Sequence, residues 1–174
     1  MVPVSGVLPF RGVEVPMDNE PSSPVCYGAG ADDIYMGYAG RDEIISALNS
    51  LIEAERAGMR VAIAWRKHLT GTAHKAFMRT LQADEARWCT MLTNYVRRLE
   101  GNASAQTGSF FAEAIDIADD MDRLRFLNKG QSWVVRALDA LLSRVRNEQL
   151  HDDLKRMRDA HIVNIAAAET LIES

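Results

Sequence analysis

A chain of 174 residues with 20 basic and 24 acidic side chains, net charge −4, is long enough for one domain with a substantial core and too short for two comfortable ones. The charges are mixed along the sequence and form neither the basic field that nucleic acid requires nor a polybasic segment for an anionic membrane, so neither partner is expected. Two cysteines, Cys26 and Cys89, lack metal-type spacing, which argues against a zinc knuckle or a disulfide framework and makes the reducing cytoplasm the expected compartment.

All five prolines, Pro3, Pro9, Pro16, Pro21 and Pro24, precede residue 25. Proline lacks the helix-forming N–H, so residues 1–40 are predicted to be an irregular Pro/Gly-rich arm in front of a helical domain over 41–174. The start of the arm lacks the charged start and the unbroken apolar run of a signal peptide. Its Val25-Cys26-Tyr27 and Tyr35-Met36-Gly37-Tyr38 segments are too apolar for a purely solvated tail, and the arm is read as a docking element. Gly28-Ala29-Gly30 lacks the third glycine and the preceding strand of a dinucleotide fingerprint and reads as a turn. No basic group flanks Cys26, an ordinary thiol rather than a nucleophile.

From Arg41 the pattern is helical. Asp42 and Glu43 suit a first turn, and Leu48, Leu51, Ile52, Glu55, Met59, Ala62, Trp65 and Leu69 follow at helical spacing. Leu69-Thr70-Gly71-Thr72 is a short connection, so the next helix, about 73–99, is predicted to run antiparallel to the first. Its inward stripe includes Phe77, Met78, Leu81, Glu85, Trp88, Leu92, Tyr95 and Val96. The Gly/Ser/Asn-rich segment 101–109 is a loop, and Phe110 to Ile117 reads as a small helix within a long crossover. The third long stripe carries Leu124, Leu127, Gln131, Val134, Leu138 and Leu141 and passes through Gly130 without losing phase. The fourth carries Leu150, Leu154, Met157, His161, Asn164, Ile165 and Ala168. Trp65, Trp88 and Trp133 are expected in the core.

Two short-loop hairpins joined by a long connection imply an all-α, four-helix bundle with the crossover between helices 2 and 3. Within it, Glu55, Glu85, Gln131 and His161 each interrupt an apolar stripe. A buried carboxylate is costly unless a cation, a metal or several donors partner it, so these residues are predicted to converge in one layer.

The arrangement resembles the ferritin-like superfamily, whose di-iron members carry Glu on the first helix, Glu-x-x-His on the second, Glu on the third and Glu-x-x-His on the fourth. The blocks Arg123 to Gln131 and Met157 to Ile165 are also similar to bacterial ferritin-like proteins. Carried over residue by residue, Glu55 matches the first acid. Glu85-Ala86-Arg87-Trp88 keeps the second helix's acid but has tryptophan for its histidine. Gln131 stands at the third acid, and Arg158-Asp159-Ala160-His161 keeps the histidine but has arginine for its acid.

The resemblance therefore implies a degenerate di-iron motif. Arginine is permanently cationic and binds no metal, and two irons need bridging carboxylates. The leading expectation is a non-catalytic binding or assembly module without a cofactor, engaging a protein partner or forming a homodimer. In it a polar network of Glu55, Glu85, Gln131, Trp88, Asn164, His161 and Arg158 replaces the metal, with Arg158 pairing Glu85. The alternative is a non-haem iron or manganese oxidoreductase, or metal-binding protein, whose metal is held by Glu55, Glu85 and His161.

Overall fold

A computed structural model describes residues 36–173; the N-terminal arm up to residue 35, including Cys26 and the glycine pair, lies outside the described residues. The chain forms α1 (Arg41–Arg66), α2 (Thr72–Arg98), the short α3 (Phe110–Asp116), α4 (Asp120–Leu142) and α5 (Glu148–Glu173). The four long helices follow the predicted stripes. Local chemistry marks their ends: the Asp119 carboxylate accepts from the Asp122 N–H at 2.9 Å at the start of α4, and Asn147 Oδ1 accepts from the Leu150 N–H at 2.8 Å at the start of α5. Such caps satisfy the donors that a helix N-terminus leaves unpaired.

Helix α1 packs beside α2 and α4, and α5 packs beside α4 and α2. The pairs α1/α5 and α2/α4 are therefore the diagonals of the bundle. The crossover climbs along α1. Asn49 Nδ2 donates to the Asn102 carbonyl at 3.0 Å, the Ser104 hydroxyl donates to Glu53, and Arg56 Nη1 donates to the Ser104 and Gln106 carbonyls at 2.6 and 3.1 Å. Further up, the Arg60 guanidinium lies 4.2 Å from the centre of the Phe111 ring, and Trp65 Nε1 donates to Asp120 Oδ1 at 2.8 Å. Helix α4 thus begins beside the end of α1 and runs antiparallel to it, which leaves the two helices of each diagonal parallel.

Gly130 has a packing reason. A Cβ there would lie 2.6 Å from Phe110 Cζ, so the glycine lets the crossover seat an aromatic ring directly on α4, where Phe110 stacks on Phe126 with centroids 4.9 Å apart. Helix α4 continues unbroken through it.

The core divides into two apolar clusters. One holds Leu51, Ile52, Trp88, Leu92, Val134, Leu138, Leu154 and Met157; the other holds Val61, Ala62, Trp65, Met78, Leu81, Leu124, Leu127 and Ala168. On every long helix the gap between them contains an inward polar residue. Trp133 departs from expectation: it is 44% exposed, whereas Trp65 and Trp88 are buried as predicted. Among the described residues no helix is long and apolar enough to cross a membrane.

Candidate functional site: a polar layer across the bundle

Glu55, Glu85, Gln131, His161 and Asn164 are the buried polar side chains of the described residues, and both glutamates are 1% exposed. Each long helix contributes at the level between the two apolar clusters. They engage across the diagonals: on α1/α5 the His161 ring approaches Glu55, with Nε2 3.2 Å from Oε1, and on α2/α4 the Gln131 amide donates to Glu85 Oε1 at 2.6 Å. Asn164 reaches sideways to α2, where its amide donates to Asp84 Oδ2 at 3.2 Å.

The proton count of the first pair follows from geometry. His161 Nδ1 lies 2.9 Å from the Met157 carbonyl; a carbonyl only accepts, so Nδ1 carries a hydrogen. Nε2 then bears the second hydrogen of an imidazolium donating to an ionised Glu55, or accepts from a protonated Glu55. Either way the pair holds one proton. Burial pushes the Glu55 carboxyl above the ordinary range, opposed by the His161 charge and hydrogen bond. Burial pulls His161 down, but Glu55 and the Met157 carbonyl outweigh it and leave the imidazole raised.

Among the described residues no cation lies against Glu85. Burial, and then the charge of Glu55, push its carboxyl well above the usual value, and the Gln131 donor only partly opposes them. Glu55 Oε2, Glu85 Oε2 and Gln131 Oε1 are buried acceptors without a hydrogen-bond partner, and the buried Trp88 Nε1 donor is likewise unpartnered.

The expected Arg158–Glu85 pair is not formed. Arg158 Nε lies 2.5 Å from Asp139 Oδ1 and Nη1 lies 3.1 Å from Asp159 Oδ1, at the half-buried boundary of α4 and α5. Arg158 directly follows the inward Met157, about 100° further round the helix, which carries the guanidinium to the edge of the inward stripe. Arg158→Met is therefore expected to change unfolding stability by no more than about 1 kcal/mol, measured by chemical denaturation. Trp88 fills the apolar cluster, its ring beneath the Arg87 guanidinium at 4.1 Å.

Two features of the layer escape a helical-stripe reading. Gly58, one turn after Glu55, admits the Glu85 carboxylate against α1: a Cβ at this position would lie 2.7 Å from Glu85 Cδ and closer still to both its oxygens. Gly58→Ala should cost about 1–2 kcal/mol, because loss of the hydrogen bond to a buried carboxylate outweighs the gain in helix propensity. The same change in a Glu85→Ala background should be neutral or stabilising, as thermal melts of the four proteins would show. The second feature is a cavity of about 230 Å³ between α1, α4 and the crossover, whose lining includes Glu55, Gly58, Glu85 and Gln131 together with Phe110, Leu127, Trp133 and Val134.

The donor set does not fit a di-iron centre. It offers two carboxylates and one imidazole, its glutamine amide already engages Glu85, and the described residues contain no grouping of three or more His, Cys, Asp or Glu side chains arranged to hold a metal ion. Two iron ions would retain most of their charge in such a layer.

Comparison with solved structures identifies the architecture. A crystal structure of ferritin-like, diiron-carboxylate proteins from Bacillus anthracis is similar at a TM-score of 0.68 and 14% identity, covering 76% of this chain and 96% of that one. A two-domain protein from Anabaena variabilis containing DJ-1/ThiJ/PfpI-like and ferritin-like domains is similar at a TM-score of 0.64 and 13% identity, covering 94% of this chain and 44% of that one. At these identities the likeness establishes the fold, which is ferritin-like. Among curated proteins no match is found. The model of a domain of unknown function, DUF6306, matches residues 42–170, the whole span that carries the polar layer, and the chain belongs to that family.

Proposed function

We propose that the chain is a non-catalytic binding module: a ferritin-like bundle in which a hydrogen-bonded polar layer has taken over the interior position where ferritin-like di-iron proteins hold metal. The observation that carries this reading is the Gln131–Glu85 hydrogen bond of 2.6 Å across the α2/α4 diagonal. An amide there supplies a donor to the carboxylate, the service a metal would otherwise perform, and brings no negative charge to neutralise a second ion. The layer is neither sealed nor fully satisfied, since a cavity reaches it. A bundle with an internal, ligand-sized space, whose inward polar groups engage one another across the diagonals, suits binding of a small ligand.

A second reading is favoured by the unpartnered oxygens Glu55 Oε2 and Glu85 Oε2: these side chains and His161 are not arranged around a metal position as they stand, but after rearrangement of the layer they would supply two carboxylates and an imidazole to a single iron or manganese ion. When bound, such an ion would supply redox or Lewis-acid chemistry. Element analysis of the full chain purified without chelator separates the two readings. The binding-module reading expects well under one transition metal per chain and no change in melting temperature on addition of iron(II) or manganese(II). About one tightly held metal per chain would overturn it.

Self-association belongs to the same proposal. Ile162 and Val163, adjacent on α5, are 43% and 67% exposed, an apolar pair suited to a protein contact. Light scattering on the full chain reads the oligomeric state directly.

A further inference from the structure

We infer that the cavity beneath Trp133 takes a small apolar amine in its ammonium form, with its hydrocarbon body against the aromatic and aliphatic wall and its charged head at the Glu55/Glu85/Gln131 layer. The inference rests on the binding-module reading and names the ligand class for that same site.

Three observations carry it. The first is size. The cavity of about 230 Å³ exceeds the roughly 150 Å³ known to admit benzene in an apolar protein interior, yet falls below the several hundred Å³ typical of pockets for larger ligands. The occupant is therefore a small ring or short chain with one polar group.

The second is the polarity of the two ends. Ala54, Phe110, Leu127, Trp133 and Val134 make most of the wall apolar. Trp133 and Gly108 are exposed at the outer side, whereas Glu55 and Glu85 are almost wholly buried at the inner side. A ligand that enters past Trp133 meets hydrocarbon first and carboxylate last.

The third is the sense of the unmet hydrogen bonding. The lining contains three buried, unpartnered acceptors, Glu55 Oε2, Glu85 Oε2 and Gln131 Oε1. A primary ammonium brings three N–H donors and one positive charge. A carboxylate ligand would bring only further acceptors and like charge; an alcohol would bring a single donor and no charge. Trp133 at the mouth can also hold a cation or stack on a ring during entry. Its exposure, which has no role in the core, then has a use.

The experiment uses the full chain, with its metal content measured beforehand, and titrates four ring compounds of similar shape: benzylamine, benzyl alcohol, toluene and benzoate. Binding is followed by calorimetry and by ligand-observed NMR at a pH where benzylamine is an ammonium. Benzylamine is expected to bind one per chain, about tenfold more tightly than benzyl alcohol, the difference between charged and neutral hydrogen bonding to a buried group. Benzoate should not bind.

Two variants locate the effect. Ser50→Trp, at an exposed position of the cavity lining, should block all probes while leaving the melt unchanged. Glu85→Gln should reduce the preference for the amine to threefold or less and leave benzyl alcohol binding intact. Equal binding of toluene and benzylamine, or a preference that survives in Glu85→Gln, would overturn the amine assignment while the module would still bind a small ligand. A metal-free sample that binds none of the probes also overturns it. A sample with one tightly held metal per chain overturns the binding-module reading itself.

Discussion

His161→Leu should destabilise the bundle by about 3–5 kcal/mol, the usual cost of removing one member of a buried charged pair. Glu55 is 1% exposed, its Oε1 faces His161 Nε2, and its Oε2 already lacks a partner. Without the imidazole, an ionised Glu55 would be stranded between two apolar clusters. Its neutral form would then be the only tolerable one, so the loss should grow as pH rises above the ordinary carboxylate range and shrink in acid. The double variant Glu55→Leu/His161→Leu removes both polar groups and fills the layer with hydrocarbon, and should recover most of the loss. Denaturant unfolding of the two single variants and the double measures the coupling. Strictly additive losses would show that the two side chains do not support each other across the α1/α5 diagonal.

Glu85→Gln should act in the opposite direction and stabilise the protein by about 1–3 kcal/mol at pH 8, the scale of a buried group that burial penalises and no cation compensates. The carboxyl is raised well above the ordinary carboxylate range, by burial first and the Glu55 charge second. A raised acid binds more protons folded than unfolded. Stability is therefore full below the unfolded value and is lost as pH rises through the folded one. Glutamine cannot ionise and retains a carbonyl oxygen to accept from Gln131, so the variant should lack this part of the slope. Below pH 4 the two proteins should be nearly equal; above pH 7 the variant should melt higher. A variant less stable than the parent above the ordinary carboxylate range, with the loss fading in acid, would show that Glu85 is held ionised by a cation, which is what the metal-binding alternative requires.

How legible the layer was depends on the residue. Glu55, Glu85, Gln131 and His161 were readable because each sits in phase with an apolar stripe, and phase along a helix is a property of the sequence alone. Trp133 was open to a better reading: two residues beyond Gln131 turn the helix by about 200°, so the two side chains cannot share an inward face. Gly58 carried a weaker signal, a glycine inside a strong helical pattern, which points to a close approach without saying what approaches. Nothing in the sequence announced the cavity, because its wall joins α1 and α4 to the 107–110 segment of the crossover.

Arg158 shows the limit from the other side. Its position one turn before His161 suggested a cation for the layer, yet Asp139 on the neighbouring helix holds it at the surface. A pairing of this kind depends on the rotation and axial offset of two helices, neither of which a stripe records.

The sequence by itself thus determined the helices, their hairpin pairing, the crossover and the inward set of polar residues, since helix hydrogen bonding and apolar periodicity act over a few residues. Only the tertiary structure decided that Glu55 takes His161 and Glu85 takes Gln131, that Arg158 takes Asp139, and that a cavity remains beside them. Those outcomes are set by distances of a few ångströms between side chains up to 106 residues apart, where hydrogen bonding is steep in distance and angle and the competing partners differ by the fit of one helix against the next.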